Sequence, residues 1–198
     1  MNFLARPCSV SSKAPVSANT QSIYEQTLVL RSQIGDEAAF EELLRLYAPH
    51  LLRFTRKMMD SSPHQLDDLS QEIWVAIFRG LPGLRDVTKF RPWAFRIARD
   101  RIYREYRRRK LAITPITHAE LDSLPAEEEL SPQLDAEALQ HRLGLLPPEQ
   151  REVLMLRFYE GMDYEEIARV TGCALGTVRS RIHYAKRTLK AALEKQDI

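Results

Sequence analysis

Cysteine is almost missing from this chain: only Cys8 and Cys173 occur among 198 residues. Two thiols so far apart and so few exclude a disulfide framework and a cysteine-built zinc site. Glycine is also scarce, seven in all, and none belongs to a Gly-rich loop that could cradle phosphate. No apolar run approaches the roughly 18 residues that cross a bilayer. The apolar stretch 3–5 is too short for a secretory signal core, so export is not inferred. Period-two alternation is missing throughout, so strands are not expected. Histidines and carboxylates form no clustered acid–base or metal-ligand set. No catalytic residue, metal site or cofactor is therefore expected.

What is present is charge, unevenly spread. The formal net charge of +2 looks uninformative. Divided where composition changes, residues 1–84 carry −1, 85–110 carry +8, 111–137 carry −7, 138–175 carry −2 and 176–198 carry +4. Two basic blocks are thus separated by an acidic one that contains neither Lys nor Arg. A basic stripe is the electrostatic footprint of a nucleic-acid binder. A single charge run more often marks a solvated helix face. Two such runs, each on an amphipathic helix, favour nucleic acid.

The hydrophobic period is helical. Residues 1–22 are rich in Ser, Ala and Pro and read as a disordered tail. Phe40, Leu43, Leu44, Tyr47, Leu51, Phe54 and Met58 share one helix face, with Gly35-Asp36 upstream as break and N-cap. Pro49 should kink or divide that helix. Ser61-Ser62-Pro63 is a turn, after which Leu66, Leu69, Ile73, Ala76 and Ile77 repeat at helical spacing. Leu81-Pro82-Gly83 ends that helix. Another opens at Phe90 and runs through an Arg-rich stretch to about Lys110. Residues 111–135, acidic and interrupted by Pro115, Pro125 and Pro132, read as a flexible linker. Helices are then expected over Ala136–Leu146, Glu149–Tyr159, Tyr164–Thr171 and Thr177–Glu194. The expected fold is all-α: two small helical domains, 23–110 and 136–198, on a flexible acidic linker.

The segment from Tyr164 to Ile182 has helix-turn-helix spacing. Ala168 is small where two helices approach, Gly172 suits a left-handed turn, and Val178 anchors the second helix. Thr177 is placed to cap that helix, whose first residues would face base edges and phosphate. Cys173 reads as a small core residue rather than a redox switch. A plain helical hairpin would share these anchors. The acid-free basic surface that continues to Lys190 favours DNA.

Three blocks together resemble a known family. They are Asp67-Asp68-Leu69-Ser70-Gln71-Glu72-Ile73-Trp74; Lys89-Phe90-Arg91-Pro92-Trp93-Ala94-Phe95-Arg96-Ile97-Ala98-Arg99-Asp100; and Leu146-Pro147-Pro148-Glu149-Gln150-Arg151-Glu152-Val153 followed by the helix-turn-helix. In this order they are similar to the extracytoplasmic-function (ECF) sigma factors of the bacterial sigma-70 type. The resemblance covers roughly residues 25–110 and 136–195.

It implies that Asp67, Asp68, Gln71 and Glu72 dock on the clamp helices of the polymerase β′ subunit. It also implies a contact of the second domain with the β flap. Leu84, Arg85, Asp86, Lys89, Arg96, Arg99, Asp100 and Arg104 correspond to the part that melts the −10 element and captures flipped bases, where cations track the backbone. Trp93 is expected in the core rather than as a stacking platform. Thr177, Arg179, Ser180, Arg181, His183 and Tyr184 match positions facing the −35 element, with Lys186 and Arg187 nearer phosphate. An anti-sigma partner, a cytoplasmic location and no membrane insertion follow as further implications. So does a linker that relatives thread through the RNA-exit path.

Departures from the family pattern are Ala94 for the usual Leu, Asp100 for the usual Asn and Tyr184 where a basic residue is common. Asp100 offers only acceptors when ionised, so beside an unpaired base it would favour a donor such as the cytosine N4 amine. Two other readings remain at this level. A stand-alone helix-turn-helix regulator would leave the Asp67–Glu72 helix without a purpose. An RNA-binding or adaptor protein would use the Arg run on structured RNA.

Overall fold

The computed structural model describes residues 18–59, 61–111 and 143–194; the expected linker and the tail before residue 18, with Cys8, lie outside them. Helix α1 spans Ala18–Gln33, so it begins inside the stretch expected as tail. Local side-chain bonds support its first turns: Gln21 Nε2 donates to Glu25 Oε1 at 3.1 Å and Gln26 Nε2 to Ser22 Oγ at 3.0 Å.

Helix α2 spans Glu37–Met58 and begins as expected at Asp36, whose carboxylate accepts from Ala39 N. Gly35 precedes it with φ +90°. Pro49 does not divide α2. Pro49 lies on the exposed side of α2, as does Arg45, whose carbonyl loses its donor, while buried residues on both sides hold the axis. Leu43, Tyr47, Leu51, Phe54 and Met58 form the buried stripe. Leu44 falls outside it at 40% exposure.

Helix α3 spans Pro63–Gly80, with Ser62 and Gln65 in a capping box and Pro63 in its first turn. A 3-10 turn over Leu81–Gly83 and another over Val87–Lys89 lead into α4, Phe90–Leu111. Phe95, Ala98 and Ile102 are fully buried, and Phe95 meets Phe54 edge-on at 5.4 Å between ring centres. Ala94 is buried without residual exposure, and Trp93 is half-buried, with its ring against Gly80. A Cβ at Gly80 would stand 3.0 Å from that ring, so any larger residue there would require the Trp93 ring to give by a few tenths of an ångström.

The C-terminal helices follow. Helix α5 spans Pro148–Leu154, begun by proline in its first turn, and continues as a π-helical turn over Met155–Tyr159. Helix α6 spans Tyr164–Thr171 and α7 spans Leu175–Glu194. α7 starts two residues before the position expected for its cap, which leaves Thr177 inside the first turn. Its carbonyl there accepts from Ser180 Oγ at 3.0 Å. Val178, Ile182, Ala185 and Leu189 line its buried face.

The two helical units are not held apart. α6 packs along α4, and α5 with its π-turn packs on α2. Among the described residues no strand occurs, and no helix is long and apolar enough to cross a membrane.

Gly172 closes α6 with φ +69°, and nothing lies within 4 Å of the point where a Cβ would stand, so its requirement is conformational rather than steric. Gly172→Ala is expected to lower unfolding stability by about 1–2 kcal/mol, and Gly172→Asn by less. Denaturant midpoints at unchanged slope measure this; equal midpoints for all three chains would refute it.

Candidate polymerase and nucleic-acid interfaces

Because Leu66, Leu69, Ile73 and Ile77 turn inward, α3 presents Asp67, Asp68, Gln71 and Glu72 to solvent, and all four are exposed. The face extends beyond the expected residues. Val75 is 47% and Phe78 59% exposed, and Phe78 joins Phe40 and Trp74 in an edge-on aromatic cluster with centroids 5.0 and 6.0 Å apart. A groove of about 550 Å³ between α3 and α4 runs past Asp68, Gln71, Glu72, Val75 and Arg101. Glu72 and Arg101 approach to 3.6 Å across it. Val75 and Phe78 were legible as apolar residues off the buried period, the signal of an apolar surface rather than a core.

The loop before α4 is pinned to α1: Gln33 Nε2 donates to the carbonyls of Leu81 at 3.0 Å and Leu84 at 2.7 Å. Leu84 is half-buried, whereas Arg85, Asp86 and Lys89 are exposed. Hydrogen bonds from the Thr88 hydroxyl and amide hold the Asp86 carboxyl below its ordinary value. On α4, Arg96, Asp100 and Arg104 stand in one exposed row at four-residue spacing. Arg99 is turned off that row, with its side chain only 21% exposed.

In the helix-turn-helix, Asp163 and Glu166 form a reciprocal capping box at 2.7 and 3.0 Å, and Gly172 makes the expected left-handed turn. Arg179 and Arg187 are exposed; Thr177, Ser180, Arg181, His183, Tyr184 and Lys186 are half-buried. Lys186 Nζ sits 5.3 Å from the Phe158 ring centre and the Arg187 guanidinium 5.2 Å from that of Tyr184. His183 packs edge-on to Tyr184, with its Nε2 buried and unpaired among the described residues. Cys173 is half-buried, its Sγ 3.1 Å from the Thr171 hydroxyl.

Sequence reasoning missed the groups that join the units. Glu152 is fully buried; its carboxylate meets Arg99 Nε at 2.8 Å as an ion pair and accepts from the Tyr103 hydroxyl at 3.1 Å. Burial pushes the Glu152 carboxyl up to about 7, against the opposing pull of Arg99 and the Tyr103 hydrogen bond. Glu160, delivered by the π-turn, has a side chain only 1% exposed. It accepts from Arg53 Nη2 at 2.7 Å and lies 2.8 Å from His50 Nδ1. Arg91 donates to its backbone carbonyl. Arg151 reaches the other way, to the Met58 carbonyl at the end of α2, at 3.1 Å.

With this geometry in place, comparison with known proteins is decisive. A family model for sigma-70 region 2 matches residues 43–111, and one for sigma-70 region 4 matches residues 136–189. The RNA polymerase sigma-H factor of Pseudomonas aeruginosa is 31% identical over 182 residues, covering 86% of this chain and 94% of that protein. The chain belongs to the ECF RNA polymerase sigma factors. The ECF sigma factor SigE of Mycolicibacterium smegmatis is 34% identical over 169 residues, covering 81% of this chain and 65% of SigE. Among solved structures, the sigma factor RpoE of Bartonella quintana, in complex with the anti-sigma factor NepR, superposes with TM-score 0.63 at 26% identity. That match covers 78% of this chain and 96% of RpoE. CnrH, in complex with the cytosolic domain of CnrY, shares the fold at TM-score 0.66 and 24% identity, over 87% of this chain and 98% of CnrH. α2–α4 are thus the region 2 side of the sigma factor and α5–α7 its region 4 side.

Glu152 carries a pH consequence. Its native value of about 7 lies above the ordinary 4.5, so between these the native state holds a proton that the unfolded chain has released. Its contribution to stability therefore falls as pH rises from about 4.5 to about 7 and is level above. Relative to Glu152→Gln, the parent chain should lose up to about 3 kcal/mol between pH ~5 and ~8. Urea titrations at each pH measure the difference; parallel curves for the two chains would refute it.

Proposed function

We propose that this sigma factor recruits core RNA polymerase through the exposed face of α3, presents α4 and the loop before it to a melted −10 element, and reads −35 duplex with α7. The carrying observation is that one chain holds both regions, each with its own exposed charged face: Asp67, Asp68, Gln71 and Glu72 on α3, and Arg179 and Arg187 on α7. The acidic groups of α3 suit a basic partner surface, and Val75 and Phe78 beside them add apolar area to the contact with the β′ clamp helices. On the other unit, exposed Leu145 and Phe158 offer an apolar contact for the β flap. The domains are assigned to 23–110 and 136–198, with the acidic stretch between them weakening binding to free DNA. The sigma factor RpoE, solved in complex with the anti-sigma factor NepR, supports an anti-sigma partner for this chain as well.

Run-off transcription with core polymerase is the test. Promoter-specific initiation on adding the chain supports the reading; tight duplex binding without polymerase, and no initiation with it, would instead establish a stand-alone regulator. Arg179→Ala is expected to weaken promoter binding by the holoenzyme by about 1–3 kcal/mol. Asp68→Ala combined with Glu72→Ala is expected to weaken capture of core polymerase while leaving the fold unchanged, read by competition against the parent chain.

Asp100 gives a sharper expectation. Its side chain is 62% exposed, with Arg99 Nη1 at 3.6 Å, so its acceptors remain open to a base. Asp100→Asn should shift the preferred −10 sequence away from bases that present an exocyclic amine. Selection from a randomised −10 library measures this, and identical preferences would refute it.

A further inference from the structure

The π-turn that delivers Glu160 also aligns a row of rings and cations that the contacts assigned above use at one end only. Phe158 and Tyr159, neighbours in that turn, keep 53% and 38% of their surface open. A lysine from either side stands over each ring. Lys57 Nζ of α2 lies 5.5 Å from the Tyr159 ring centre, and Lys186 Nζ of α7 lies 5.3 Å from that of Phe158. Exposed Arg56 extends the row along α2.

Acids do not neutralise this row from the helices that carry its cations: α2 has none after Glu42, and α7 none before Glu194. The carboxylates next to the rings in the chain are turned inward, Glu152 onto Arg99 and Glu160 onto Arg53 and His50. Glu149 stands in the first turn of α5, within the field of Tyr103. Burial, then the like charges of Arg53 and Arg56, hold the Lys57 ammonium below its ordinary value, the mark of cations crowded together. Cations that track a charged backbone, beside flat rings that accept unstacked bases, are the combination that binds single strands. An acidic peptide would use the cations and leave the rings idle, and a duplex keeps its base faces stacked inside. The Tyr159 hydroxyl bonds to no group among the described residues. A 2′-hydroxyl, donor and acceptor at once, is the group by which a protein tells RNA from DNA.

We propose that Arg56, Lys57, Tyr159, Phe158 and Lys186 form a binding site for single-stranded RNA, with its phosphates on the cations, its bases on the two rings and a 2′-hydroxyl on the Tyr159 phenol. The site needs α2 packed on the π-turn, since Lys57 and Tyr159 come from opposite sides of that contact. It is built from other elements than the α4 row of Arg96, Asp100 and Arg104, and it does not depend on the promoter reading.

Arg56, Lys57 and Tyr159 carry the test, because none of them, unlike Phe158 and Lys186, belongs to the assigned polymerase or DNA contacts. Fluorescence anisotropy with the full chain measures affinity for fluorescein-labelled oligo(U) and oligo(dT) of about ten nucleotides, a length one single-strand surface covers. The parent chain should bind oligo(U) roughly 5-fold more tightly than oligo(dT), as one added hydrogen bond provides. Tyr159→Ala should weaken oligo(U) binding by about 5- to 10-fold. Tyr159→Phe should keep the affinity for oligo(dT) and erase the preference for oligo(U). Lys57→Gln and Arg56→Gln should each lower affinity and flatten the dependence of log affinity on log salt by about 0.7, with Lys57→Arg restoring both. Arg56 is exposed, so its replacement leaves the fold intact, and circular dichroism checks the other variants. Arg96→Gln should leave oligo(U) affinity unchanged. Three results would each overturn the proposal: oligo(U) bound no more tightly than oligo(dT), parent affinity in Arg56→Gln and Lys57→Gln, or a larger loss from Arg96→Gln than from either.

Discussion

The Glu160 carboxylate, almost wholly removed from water between α2 and the π-turn, is the constraint on which the arrangement of the two units depends. Taking a carboxylate out of water costs several kcal/mol unless cations and hydrogen bonds replace the solvent. Here they do so from across the interface: Arg53 with two nitrogens and His50 with one. The partners lie 107 and 110 residues away in the chain. Apolar contacts along α4 and α6 supply attraction without direction, since such surfaces tolerate sliding. The carboxylate pairs select one register. Glu152, bound to Arg99 and Tyr103 two turns further along the same interface, fixes the second point and so the rotation.

The π-helical turn at Met155–Tyr159 makes the first of these points possible. Its wider hydrogen bonding, with Glu160 N donating to the Met155 carbonyl at 3.1 Å, adds a residue to the turn. Phe158 and Tyr159 then face outward, at 53% and 38% exposure, while Glu160 turns into the interface. Such turns are uncommon and tend to occur where a helix must re-aim a side chain for a purpose. Lys57 and Lys186 cover the two outward rings at 5.5 and 5.3 Å, so the rings are partly masked by side chains of both units.

Sequence reading performs well where the determinants are local. The α2 stripe from Leu43 to Met58, the Asp36 cap, the proline start of α5, the bounds of α6 and the left-handed Gly172 all follow from spacing and backbone preference. It fails where distant residues decide. Pro49 predicts a broken helix, yet its exposure and the buried stripe around it preserve α2. Thr177 has the chemistry of a cap, but α7 starts at Leu175. Nothing local marks Glu152 or Glu160 as buried, because their burial depends on α2 and α4 docking from elsewhere in the chain. The α3 face was half legible: its polar residues stand out by motif, whereas Val75 and Phe78 were visible only as apolar residues off the core period.

The near-zero net charge also acquires a structural meaning. The +8 of residues 85–110 is offset in the sequence by the −7 of residues 111–137, and in the fold the Glu152 carboxylate of the C-terminal unit is paired with Arg99 of α4. DNA binding and the buried carboxylate pairs respond differently to salt. DNA binding releases counterions and weakens steeply as ionic strength rises. The Glu160 and Glu152 pairs lie within the protein, where mobile ions screen little.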